Sequence, residues 1–387
     1  MFEPAQWWYY QKKYGWNNAK FAEDYSYAAA CVDANKLPRD NAYWETRRHS
    51  GFHFDATKFG NWLRDNYALP RGVKRIVRKI NPKRLPKADL YFDCTGFKSL
   101  LNDSPWVDMS HILPNNSAVV TRFAYNNKEE QMKAVTDCVA LDNGWCWNVP
   151  TWTRIGSGYV YCDKFCSDQE AIDEFRDYLA ENVESDVGAY SDKMFRVIKW
   201  TTGRREKMWN GNVISIGLSA GFIEPLESNG ILSIHNFLLM FLRVMDGRKV
   251  ITETMRNTFN NNCNGSFDEF ASFVAAHFAL TQRNDTPYWQ HICDKNYPDE
   301  NSMFKFQRNL GLPSSVFGDA YSWGDLAGEG SFYVQAGHGW NPFSDLIYKE
   351  LNYYQGGGVP EHIPDPWKGI DKLQCPYDYY KETIYAS

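Results

Sequence analysis

The stretch Asn212 to Ile231, NVISIGLSAGFIEPLESNGI, constrains this chain more than any other. Asn212 to Ile216 reads as a short buried strand running into Gly217 and Gly221, where the missing Cβ lets the backbone approach a neighbour or a ligand closely. Two carboxylates, Glu224 and Glu227, follow with Ser228. From Ile231 to Met245 the residues are strongly apolar and helical, so the first free N–H groups of that helix fall near Asn229 and Gly230. A helix start carries unsatisfied donors and partial positive charge, and can hold a small anion such as a halide without any basic side chain. A carboxylate there can equally serve only to complement the helix dipole, an effect of about 0.3–1 kcal/mol, so catalytic and structural readings of Glu227 both stand at this point.

Elsewhere helical and strand patterns alternate, as in an α/β enzyme. Asp55 can cap a helix whose apolar positions Phe59, Trp62 and Leu63 share a face, leading through Pro70, Arg71 and Gly72 to a strand-like run from Val73 to Ile80, the order of a crossover unit. Ala88 to Asp93 is a short strand that ends at Cys94-Thr95-Gly96-Phe97. Ser117 to Tyr125 and Gly158 to Cys162 are further strands, with Trp145-Cys146-Trp147-Asn148-Val149-Pro150 between them. Ser167 and Glu170 form a capping box ahead of Ile172, Phe175 and Leu179. An amphipathic helix is expected over Phe267 to Leu280 and another around Ala19 to Val32. Beyond Asp285 the chain is rich in Trp, Tyr, Gly and Asn, and loops around Gly328 to Gly330 and Gly356 to Gly358 suit a substrate cover as well as plain surface loops.

The net charge of −5 leaves no basic field for nucleic acid. Nine cysteines without a CxxC spacing read as reduced thiols in a cytoplasmic protein, with no metal site expected. No run approaches the roughly 18 apolar residues of a membrane span, and no secretory leader opens the chain. Aromatic residues make up 16% of the sequence, which serves core packing or a site that stacks flat rings. Trp145 and Trp147, two apart on a strand, point the same way and commonly fill a core. His53 and His277 read as structural histidines, neither in a metal-ligand spacing.

GLSAGFIEPLESNGI resembles the signature of flavin-dependent halogenases of the tryptophan halogenase family, and WCWNVP resembles that family's WxWxIP motif with Val in place of Ile. The likeness extends through ADLYFDCTGFKSLL and through His277 to Trp289, covering Phe52 to about Pro342. It implies an FAD-dependent monooxygenase-like α/β fold, with residues 1–245 as the remainder of the FAD-binding module and its substrate-covering strands, and residues 246–387 as a helical, aromatic-rich substrate region. It implies that FAD, reduced by a separate flavin reductase, works with O2 and halide to give hypohalous acid, which halogenates an electron-rich aromatic substrate. Residue by residue, Glu227 matches the glutamate that positions a catalytic lysine and the substrate, and Ser228 the serine linking the flavin and substrate sides. Gly230 matches a halide-binding backbone position, Asn229 stands where the family has Thr, and Leu218 and Ile231 match residues flanking the isoalloxazine. Val73 matches a backbone contact near the adenine, and Trp145 and Trp147, in the motif that ends at Pro150, match residues beside the passage between flavin and substrate.

The family opens with a GxGxxG turn and carries its lysine upstream of anything found here; Gly156-Ser157-Gly158 lacks the third glycine and the strand-turn-helix setting. The chain is therefore expected to be N-terminally incomplete, through an internal start, a split gene or true loss, and its Asn-rich and Tyr-rich character suits a phage-borne member. Two other readings remain open here: a flavin-dependent aromatic monooxygenase, and a non-catalytic remnant or half of a split enzyme.

Overall fold

The computed structural model describes residues 27–37, 51–183, 191–293, 334, 337, 338, 365 and 367–386. Its strands are β1 (Tyr91–Asp93), β2 (Trp106–Asp108), β3 (Ser117–Phe123), β4 (Asp137–Leu141), β5 (Gly144–Thr151), β6 (Arg154–Tyr161), β7 (Arg196–Lys199), β8 (Gly203–Arg205), β9 (Trp209–Asn210), β10 (Val213–Ser215) and β11 (Gly221–Phe222). The helices that matter to the argument are α1 (Tyr27–Asp33), α2 (Ala56–Trp62), α3 (Asp168–Asn182), α4 (Asn229–Met245), α5 (Glu253–Ala279) and α6 (Pro287–Ile292).

The largest sheet is antiparallel, in the order β4-β5-β6-β3-β7. Strand alternation splits its side chains between two cores. Cys146, Tyr159 and Tyr161 face the core under α3, whereas Trp145 and Val160 face the core that also takes buried residues of α4, α5 and α6. The capping box starts α3: Ser167 Oγ accepts from the Glu170 N–H at 3.3 Å while the Ser167 N–H donates to Glu170 Oε2 at 2.7 Å. Its inward stripe is Ala171, Ile172, Phe175 and Leu179.

Two smaller sheets frame the N-terminal end of α4. In one, β1 runs parallel to β10, with Asp93 opposite Ser215, and β9 closes the far edge. In the other, β8 sits between β11 and β2. Helix α5 spans 27 residues from a Thr252 cap, so the segment read as Phe267 to Leu280 is its second half. The first half is too rich in asparagine to show an apolar stripe, yet Asn260 is buried there and clamps β9, accepting from the Trp209 N–H at 2.8 Å and donating to its carbonyl at 3.0 Å.

The run from Val73 to Ile80 is not a strand. It joins no ladder: the Val73 N–H turns back to the Ala68 carbonyl at 3.2 Å, Val73, Ile76, Val77 and Ile80 are exposed, and no described strand pairs with the run. The preceding helix has the expected cap, Asp55 Oδ1 accepting from Thr57 and Lys58 N–H at 3.0 Å. It ends at Trp62, however, and winds through a π turn and a 3-10 turn to Arg71, with Phe59, Trp62 and Leu63 exposed rather than packed. The helix after Asp55 and the run from Val73 to Ile80 therefore do not form the expected crossover unit. Only the end of the helix expected around Ala19 to Val32 is described, in α1, and the loops at Gly328 to Gly330 and Gly356 to Gly358 lie outside the described residues. All nine cysteines are free thiols, and no described helix is long and apolar enough to cross a membrane.

Candidate active site

Parallel strands end on the same side, so β1 and β10 deliver two turns side by side, Cys94-Thr95-Gly96 and Ile216-Gly217-Leu218. The carboxyl ends of such strands are where α/β sheets bind ligands. Asp93, fully buried, ties the turns together: Oδ1 accepts from the Thr95 N–H at 3.0 Å, from Thr95 Oγ1 at 2.6 Å and from Ser219 Oγ at 3.4 Å, and Oδ2 from the Leu101 N–H at 2.8 Å. Burial by itself would raise this carboxyl, but its donors outweigh burial and hold it below the usual range. Gly217 takes a φ of 64°, and just beyond it Leu218 is 38% exposed, with Ile231 in the first turn of α4 at 45%. Helix α4 packs against this turn, Ile234 lying over Gly217, so the exposed Leu218 and Ile231 stand on two elements in contact. Val73 is exposed, and no hydrogen bond among the described residues joins it to either.

After β11 the chain makes the turn that carries both carboxylates. Glu227 (φ 67°, ψ 10°) and Ser228 (φ 52°, ψ 32°) are consecutive left-handed residues that are not glycine. Each such residue costs about 1–3 kcal/mol and persists only where its surroundings over-determine it. Ser228 therefore enters α4 without a side-chain cap, leaving the first amides of the helix uncovered by one. A Cβ at Gly230 would meet no atom within 4 Å, so the approach to those amides is open there. Asn229 turns inward: it is 7% exposed and its Nδ2 donates to the Leu226 carbonyl at 3.3 Å. Its side-chain amide is thus committed to the turn.

Glu227 keeps a partly exposed side chain and meets α5, where His277 Nε2 lies 2.9 Å from its Oε1. Nδ1 of the same ring donates to the Phe273 carbonyl at 3.0 Å. Both ring nitrogens of His277 are thus engaged, as in a structural histidine, and one of the two partners is the candidate glutamate. Across the turn, burial first and the Glu227 charge second push the Cys138 thiol up to about 12, keeping it protonated beside the site. His53 differs: its ring bonds the Pro150 carbonyl at 3.0 Å and Thr136 Oγ1 at 2.9 Å, and burial lowers its basicity, so it is a neutral brace for the end of β5.

Glu224 faces the other way. It is fully buried, and its Oε2 accepts from Asn115 Nδ2 at 2.7 Å and from Trp145 Nε1 at 3.2 Å. Sequence reading missed this link, as a partner 79 residues away leaves no local signal. Trp145 and Trp147 lie on the same face of β5 with ring centroids 5.8 Å apart. The Trp147 ring lies over Gly158 on β6, where a Cβ would come within 2.2 Å of it. Pro150, six residues along β5 from the start of the strand at Gly144, is buried. Among the described residues no three His, Cys, Asp or Glu side chains are grouped to hold a metal ion.

The fold is that of flavin-dependent halogenases: it superposes on the crystal structure of the tryptophan 6-halogenase SttH from Streptomyces toxytricini with a TM-score of 0.77 at 26% identity, covering 96% of this chain and 78% of that one. The apo structure of VirX1 matches with a TM-score of 0.80 at 30% identity, over 99% of this chain and 80% of that one. In sequence, tryptophan 7-halogenase RebH from Lentzea aerocolonigenes is 29% identical over 378 residues, which span 90% of this chain and 67% of the relative. The profile of the family described as "Tryptophan halogenase" matches residues 2–323, and the chain belongs to that family of FAD-dependent enzymes.

Proposed function

We propose that this protein halogenates an electron-rich aromatic small molecule in the cytoplasm, using halide as co-substrate and FAD reduced by a separate flavin reductase. The observation that carries this reading is the turn from Ile223 to Gly230, which sets a hydrogen-bonded carboxylate, Glu227, beside an uncapped helix start on the one strand-turn-helix unit. The exposed apolar edge of Leu218 and Ile231, at the carboxyl ends of the parallel strands β1 and β10, fits the flat ring of a flavin. When bound, reduced FAD supplies, with O2, the oxidising power that converts halide to hypohalous acid.

The chain's own residues bind and orient. In this reading the backbone amides at Asn229 and Gly230 hold the halide through the partial positive charge of the α4 start. Ser228 stands between the flavin side and the substrate side. Glu227, steadied by His277, orients the group that receives the oxidised halogen relative to the aromatic ring, so that regioselectivity comes from position. Trp145 and Trp147 border the passage between the two sides on the strand that carries Pro150, Val73 contacts the adenine end, and the substrate region lies within residues 246–387.

The test is product mass. The protein, completed with the family's GxGxxG and lysine segment, is incubated with a flavin reductase, NADH, FAD, O2 and indole, phenol and pyrrole substrates, with and without bromide. Brominated product that appears only with bromide is expected; a hydroxylated product independent of halide would replace this reading with a monooxygenase.

A further inference from the structure

We propose that Glu224 is a positioning residue of the halogenation site, tying the Trp145 indole to the turn that carries Glu227, and that its protonation state sets the strength of that tie. The role in halogenation rests on the function proposed above; the tie itself rests on geometry.

Glu224 sits three residues before Glu227 and shares its turn, yet the two carboxylates face different elements. Every polar neighbour of Glu224 comes from a distant part of the chain. Asn115 precedes β3, Trp145 is on β5, and Tyr288, on α6, donates its hydroxyl to Asn115 Oδ1 at 3.1 Å. With its oxygen engaged by Tyr288, the Asn115 amide presents Nδ2 to Glu224. The charged and titratable groups facing this carboxyl are Tyr288 and, from α5, His277, whose other side holds Glu227.

The donors are distributed unevenly. Oε2 receives both N–H groups, whereas Oε1 is buried with no donor among the described residues. A buried carboxylate with one bare oxygen is costly, and the cost falls when the group carries a proton. Burial pushes the Glu224 carboxyl up to about 7, against the lowering effect of the Asn115 and Trp145 donors and of the His277 charge. The group therefore changes charge in the neutral range. As a carboxylate it holds the Trp145 N–H and the Asn115 amide by charge-assisted bonds; as an acid it holds them more weakly. Trp145 packs on Trp147, so a change of grip at the indole nitrogen reaches both rings of the strand that borders the proposed passage.

The experiment is a pH titration of the Trp145 indole N–H resonance in protein labelled with 15N-tryptophan, the peak being assigned by its loss in Trp145→Phe. In the wild type the resonance should move with a midpoint near 7, and in Glu224→Gln it should not titrate. His277→Gln supplies a second variant: loss of its positive charge should move the midpoint upward. Kinetically, Glu224→Gln should lower kcat about tenfold at near-constant KM and flatten the pH–rate profile through neutrality. A wild-type resonance that does not titrate, one that still titrates in Glu224→Gln, an unmoved midpoint in His277→Gln, or a wild-type pH–rate profile in Glu224→Gln would each overturn the assignment. The resonance is read without turnover, so failure of the halogenation assay is a separate result from failure of this one.

Discussion

His277 Nε2 lies 2.9 Å from Glu227 Oε1, although 50 residues separate them in sequence. The Phe273 carbonyl can only accept, so the hydrogen on Nδ1 is committed to it and Nε2 is the nitrogen that meets the carboxylate. His53 shows the contrast: there Nδ1 meets the Pro150 carbonyl, and Nε2 faces the Thr136 hydroxyl rather than a carboxylate.

Because each member of that pair orients the other, their substitutions should not add. Glu227→Gln is expected to lower kcat on the order of 100-fold while flavin affinity stays near wild type, since the carboxylate's hydrogen bond is to His277 on α5. In a double-mutant cycle with His277→Gln, the coupling should reach about 0.5–3 kcal/mol of transition-state stabilisation. Simple additivity of the two losses in kcat/KM would show that the contact does not serve the reaction.

Gly158→Ala tests the placement of Trp147. The new methyl would sit 2.2 Å from a rigid indole ring whose register opposite Gly158 is fixed by the β5–β6 ladder. Displacing the ring should cost about 1–3 kcal/mol of stability and alter the Trp147 fluorescence or indole resonance. An unchanged midpoint of urea unfolding would place the ring elsewhere.

Halide choice is expected to depend on Asn229, though not through a direct side-chain contact. Its side chain packs inward and donates to the Leu226 carbonyl, so it shapes the turn from which the α4 amides emerge. Large, weakly hydrated bromide and iodide lose less on leaving water, and the enzyme should use them at least as readily as chloride. Asn229→Thr, which exchanges that amide for a hydroxyl and a methyl, should move preference toward chloride. Equal product ratios from wild type and variant in equimolar halide competition would remove Asn229 from the explanation.

The Glu224 carboxyl also gives stability a pH dependence whose sign is fixed. Its folded value, about 7, lies above the ordinary 4.5, so its contribution to folding is fully present below about 4.5 and is lost as pH rises to about 7. The full loss is on the order of 3 kcal/mol. Glu224→Gln cannot ionise, so its stability relative to wild type should improve by that order between acid and mildly alkaline pH. Parallel denaturant titrations would show this as a growing gap, and a pH-independent difference would contradict it.

The sequence by itself determined the local units whose causes are local. The Ser167 and Glu170 capping box, the Asp55 cap and the strand ending in glycine ahead of α4 all follow from residues within a few positions of one another. The halogenase resemblance was legible because its two motifs are contiguous segments, one on β5 and one around the β10-to-α4 turn. Pairing was not legible. Val73 to Ile80 has the composition of a strand, but a strand exists only where a second one offers it hydrogen bonds, and none of the described strands does so. Only the tertiary structure decided that of two glutamates three residues apart Glu224 would be buried against Asn115 and Trp145 while Glu227 would turn outward to His277. The left-handed backbone at Glu227 and Ser228 sends the two side chains apart, and it is held there by contacts from β5 and α5 that no local pattern encodes.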